Sequence, residues 1–187
     1  RRTALLKIVD LYVEENRLTN AVQRLQRLFI RHPGDPATGL AHLTLGELRL
    51  RQFYGLPDAS RLQSTNLLSE ALGHFDVILK GDTEPDLMGK SWLGRGWALW
   101  EWGRLSGKEF QLSLAQQAYS NAVRRLPRSR EQAVAQFKVA DCLFHRDKHA
   151  AAASSYWASI GIATNTVGFQ NQLVDQALYQ IVRSGVE

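Results

Sequence analysis

The chain has 187 residues, 23 Lys and Arg against 18 Asp and Glu, a net charge of +5, and a single cysteine. That length can bury a real core, either in one globular domain or in a stack of helix pairs where each pair packs only on its neighbours. Lone Cys142 excludes an internal disulfide and a Cys-rich zinc site, and no apolar run is long enough to span a bilayer, so no membrane insertion of this segment is expected.

The basic excess attracts anions weakly and does not by itself indicate nucleic acid. The sequence begins at Arg1 without a signal-peptide pattern, and is read as a piece of a longer protein. The five prolines, Pro33, Pro36, Pro57, Pro85 and Pro127, all stand where elements should end. Between them apolar residues recur at three and four, the helical period, and no strand-like alternation is sustained. Nine helices are expected, over 3–15, 19–31, 37–53, 63–80, 86–103, 110–126, 130–145, 149–162 and 168–183.

In chain order, Leu5, Ile8, Val9, Tyr12 and Val13 form the apolar stripe of the first helix, and Ala21, Val22, Leu25, Leu28 and Phe29 that of the second. The fifth crowds Trp92, Trp97, Trp100 and Trp102; Leu93, Trp97 and Trp100 share a face suited to a core, and Trp102 stands at the mouth of an insertion as a candidate contact. The seventh carries Phe137, Asp141, Cys142, Phe144 and His145.

A spacing recurs on alternate helices. Ala21, Leu25, Leu28 and Pro33 are spaced +4, +3, +5, and Ala115, Tyr119, Ala122 and Pro127 repeat it. Ala71, Phe75 and Ile78, and then Ala152, Tyr156 and Ser159, repeat the +4, +3 step. Together with Leu5 to Tyr12, Leu45-Gly46, Leu93-Gly94-x-x-Trp97 and Val139-Ala140-x-x-Leu143, these segments resemble the tetratricopeptide repeat. Small residues such as Gly94, Ala21 and Ala115 let helices approach closely, and a ring one turn away fills the remaining gap.

The resemblance implies an all-α, right-handed superhelical solenoid of antiparallel helix pairs. It would form a single domain over 1–187, with repeats at about 2–35, 37–85, 87–128 and 130–164 and a partial repeat or cap at 167–187. The repeat alanines lie 50, 44 and 37 residues apart, against a usual period of about 34. The surplus falls at Phe53–Gln63 and Gly103–Phe110, insertions that extend a helix, cover a groove or meet a partner.

Catalytic signatures are missing: there is no phosphate-binding loop, His-Glu-x-x-His or Gly-x-Ser-x-Gly, and no metal-ligand spacing among the histidines. Cys142 and His145 can share a helix face as a thiol–imidazole pair, but a small buried cysteine beside a helix-end histidine explains them better. The chain is therefore read as non-enzymatic, without cofactor or metal.

The resemblance further implies that the first helix of each pair lines a concave groove. Residue by residue this gives Asp10, Glu14, Glu47, Arg51, Arg95, Phe137, Asp141, Phe144 and His145, with Trp102 at the rim. Carboxylates at both ends, arginine between and aromatic pockets suit a peptide or protein segment. Alternatives are a nucleic-acid module using Arg124, Arg125, Arg128 and Arg130, which the groove carboxylates disfavour, and a carbohydrate or cell-wall module using an exposed Trp. The chain is also similar to bacterial envelope repeat proteins, the outer-membrane assembly lipoproteins and Tol-Pal coordinators, which points to periplasm or cell envelope, with cytoplasm as the alternative.

Overall fold

The computed structural model describes residues 15, 17–31, 38–81, 84–166 and 172–185. These are all helix and connecting turn, with no strand among the described residues. The chain divides into two compact units, Arg1–Thr83 and Glu84–Glu187.

The first unit holds α1 (Leu18–Arg31), α2 (Thr38–Tyr54), the short α3 (Asp58–Arg61) with a 3-10 turn at Leu62–Ser64, and α4 (Asn66–Lys80). Helix α2 packs against both α1 and α4. The second unit holds α5 (Pro85–Ser106), α6 (Glu109–Arg125), α7 (Arg130–Phe144), α8 (His149–Thr164) and α9 (Gln172–Ser184). Here each helix packs on the next, and α7 also touches α5 and α9. The nine α-helices among the described residues match the expected number, though not the same set: the expected helix 3–15 lies outside the described residues except for residue 15, and α3 folds within the Phe53–Gln63 insertion. The other insertion extends α5 to Ser106, where Gly107 at φ +64° ends it.

Local chemistry sets the boundaries. Pro85 occupies the first turn of α5, where its missing N–H costs nothing. Pro127 follows Leu126 and stops α6. Ser129 then caps α7 by accepting from the Gln132 backbone N–H at 3.2 Å. The Gln132 side chain donates to the carbonyls of Val123 at 2.9 Å and Leu126 at 3.2 Å, tying the α6 end to the α7 start. At the far end of α7, Asp147 takes φ 55° and Lys148 N–H reaches back to Leu143 O at 3.0 Å. An Asp tolerates that left-handed position better than most residues.

The repeated small positions Ala21, Ala71, Ala115 and Ala152 are all fully buried at 0% exposure. The rings that follow three of them, Phe75, Tyr119 and Tyr156, are also buried. Each of the first two lies on a glycine of the preceding long helix. A Cβ on Gly46 would sit 2.5 Å from Phe75 Cε1, and one on Gly96 would sit 2.6 Å from Tyr119 Cδ1. The glycine beneath Tyr119 is thus Gly96, two residues beyond the Gly94 that the motif singles out, while Gly94 is itself buried.

Gly96→Ala should therefore lower unfolding stability by about 1–2 kcal/mol. Overpacking a filled core costs roughly 1–3 kcal/mol, more than the roughly 1 kcal/mol gained by replacing a helical glycine. Gly161→Ala on α8, where nothing lies within 4 Å, should be stabilising in the same chemical-denaturation assay. Equal effects at the two positions would refute the close-approach account.

Candidate functional site

Helix α7 runs between its neighbours α5 and α9, and the stripe it turns towards them decides the site. Arg130, Val134, Phe137, Lys138, Asp141, Phe144 and His145 recur at three and four along one face. At the C-terminal end of that stripe Phe144 is buried and His145, though exposed, is in ring contact. The Phe144 ring lies under the Arg183 guanidinium of α9 at 4.5 Å and edge-on to His149 at 5.0 Å. The His145 ring meets Trp100 of α5 at 5.0 Å. The N-terminal half remains open, and a cavity of about 320 Å³ forms there, lined by Trp97 of α5, Arg130, Val134, Phe137 and Lys138 of α7, and Gln172, Leu173 and Gln176 of α9.

A polar network closes the cavity floor. Lys138 Nζ pairs with Asp141 Oδ2 at 2.7 Å and lies 4.8 Å from the Trp97 ring centre and 5.2 Å from that of Trp100. The Tyr156 hydroxyl donates to Asp141 Oδ1 at 2.7 Å, while its ring meets Phe137 edge-on at 5.0 Å. Burial and the Asp141 carboxylate push the Tyr156 hydroxyl well above its ordinary range. Cys142, fully buried, is pushed up for the same two reasons, so its thiol stays protonated at neutral pH.

The expected groove residues have different fates. Asp10 and Glu14 lie outside the described residues. Phe137 lines the cavity, whereas Asp141, only 12% exposed at its side chain, is occupied by Lys138 and Tyr156. Phe144 is buried at 7%. Arg95 turns its guanidinium over the Trp92 ring at 5.5 Å, and Trp102 is half-buried on α5. The exposed indole of the second unit is instead Trp157, at 56%.

Glu47 and Arg51 are exposed on α2 in the first unit. Arg51 lines a second, shallow cavity of about 730 Å³ with Arg49, Tyr54, Leu18 and Leu67. Arg49 is already paired there, to Glu70 at 2.7 Å and Gln52 Oε1 at 2.9 Å. Val134 and Lys138, not among the expected groove residues, had a legible signal: with Arg130 they repeat at i, i+4, i+8 on the same stripe as Phe137. Comparison with protein-family models and with curated proteins finds no match to this chain.

The first unit also holds a histidine pair between α2 and α4. His42 Nδ1 and His74 Nδ1 are 3.0 Å apart, so one ring donates and the other accepts. Burial, then the charges of His42 and Arg49, lower the His74 pKa to about 4, and burial lowers that of His42.

Two outcomes are expected from these contacts. Tyr156→Phe removes one partner from a nearly buried carboxylate and should cost about 1–2 kcal/mol in urea unfolding; an unchanged midpoint would show that the hydroxyl contributes nothing. The second concerns pH. Because the folded His74 pKa lies below the unfolded value near 6.5, the unfolded chain takes up the proton first and stability falls as pH drops from about 6.5 towards 4. Comparing urea midpoints at pH 7 and 5, His74→Gln should lose less stability on acidification than the parent chain. An identical loss in both proteins would rule out this contribution.

Proposed function

We propose that this chain is a tetratricopeptide-type helical-repeat module that holds a segment of another polypeptide and performs no reaction itself. The cavity along the N-terminal half of α7 carries this reading. It is bounded by α5, α7 and α9, every second helix of the unit, which is the side a solenoid of helix pairs offers to a guest. Its lining combines an apolar wall of Val134, Phe137 and Leu173 with Arg130 and the amides of Gln172 and Gln176 at its edge. Such a lining suits one or two apolar side chains of an extended or helical peptide, with polar groups fixing their register. The buried small-residue contacts support pairwise stacking, and the burial of Cys142 supports a packing role for that residue.

The test is a peptide-display selection against the immobilised chain, run in parallel on Val134→Trp, whose indole fills the cavity. The parent chain should enrich peptides sharing an apolar anchor, and Val134→Trp should fail to retain them while keeping its helical circular dichroism and melting temperature. Enrichment that survives filling of the cavity would overturn the assignment to this site.

A further inference from the structure

We infer that the segment held in the α7 cavity carries an acidic stretch next to its apolar anchor, and that this stretch docks on the arginine cluster at the α6–α7 turn; the inference rests on the peptide-binding reading above. Arg124, Arg125, Arg128 and Arg130 are all exposed and fall within seven consecutive residues. Among the described residues, no carboxylate lies within ion-pair distance of any of them, whereas Lys90, Arg104, Lys138 and Arg146 of the same unit each meet one.

Two of the four are nonetheless held in place. Asn121 Oδ1 accepts from Arg124 at 2.7 Å and from Arg125 at 3.2 Å. The Trp92 ring lies 5.8 Å from the Arg125 guanidinium and 5.5 Å from that of Arg95, which brings a fifth cation from α5 to the same place. Helix α7 begins here as well, and its first-turn N–H groups add positive potential. Glu131 is the one carboxylate of this stretch and makes no ion pair with the four arginines. The four arginines of the turn, with no carboxylate in ion-pair distance among the described residues, are complementary to an anionic guest.

Arg130 identifies the guest as a peptide. It belongs to the cluster and also lines the cavity, so the positive surface runs into a space whose walls are Val134, Phe137 and Leu173. A cavity of about 320 Å³ takes an apolar side chain, and a neighbouring run of Asp or Glu then lies along the turn. Single-stranded nucleic acid needs open aromatic faces for base stacking, and the Trp92 ring has arginines over it.

The probe is a short fluorescein-labelled peptide with a Leu-Phe anchor beside a run of glutamates, made in both orders, with the same peptides carrying glutamine as controls. Anisotropy at low salt should show the acidic form binding on the order of tenfold tighter than the amide form, an advantage that shrinks as salt rises. The double variant Arg125→Glu/Arg128→Glu should abolish the difference without changing the melting temperature. Equal binding of acidic and amide peptides, both lost in Val134→Trp, would overturn the acidic docking and leave peptide binding intact. Displacement of the acidic peptide by a single-stranded oligonucleotide at lower concentration than by unlabelled acidic peptide would overturn it in favour of nucleic acid. Failure of every peptide to bind would overturn both readings.

Discussion

Aromatic rings seated on glycines set the distances on which the rest of this structure depends. Phe75 on Gly46 and Tyr119 on Gly96 allow α2 to approach α4, and α5 to approach α6, more closely than a methyl group would permit. The rings are fully buried, so each contact combines a large apolar area removed from water with a backbone approach that only glycine allows. In α7 and α8 the equivalent meeting is made by side chains: Tyr156 contacts Phe137 with its ring and Asp141 with its hydroxyl. A helix pair joined through a hydrogen bond to a carboxylate tolerates less change than one joined through apolar contact, because losing either partner strands a desolvated group.

Where the second unit is open is set by the side chains that α7 turns towards its neighbours. Helix α7 has one continuous stripe of side chains towards α5 and α9. At its C-terminal half, Arg183 over Phe144 and Trp100 against His145 fill the space between the helices. At its N-terminal half Arg130 extends into solvent and Val134 is short, so together with Phe137 and Lys138 they leave the cavity open between α5, α7 and α9.

Much of the fold was legible because its signals are local and repeated. The +4, +3 spacing after Ala71, Ala115 and Ala152 marked residues that are all buried, as are Ala21 and Leu25 of the first occurrence, and Pro57, Pro85 and Pro127 stand at helix boundaries. The motif draws the eye to Gly94, which is buried, whereas the glycine under the Tyr119 ring is Gly96, a contact that only the partner ring reveals. The site was less legible. Spacing places Phe137, Asp141, Phe144 and His145 on one face of α7, but what packs on each part of that face depends on Trp100 and Arg183, side chains of other helices that periodicity does not locate. Asp141 reads in sequence as a free groove carboxylate, and what removes it from that role is Tyr156, fifteen residues away. Trp157 was passed over because the other tryptophans cluster on α5.

The same reasoning separates two cations that a charge count treats alike. Lys138 and Arg130 both line the cavity, yet Lys138 has its charge balanced by Asp141 at 2.7 Å and its ammonium set against Trp97 and Trp100. A guest carboxylate reaching for Lys138 would have to compete with a partly desolvated pair, and separating such a pair costs more than a new surface contact returns. Arg130 has no carboxylate partner among the described residues, so an incoming carboxylate would have no ion pair there to break. Under the peptide-binding proposal, recognition by charge would fall to the outer rim, where Arg130 joins the arginines of the α6–α7 turn, and the interior of the cavity would select by shape and apolar area. One helix would then divide the two tasks along its length: Asp141 ties α7 to α8 through Tyr156, and the turn before Val134 would meet the guest.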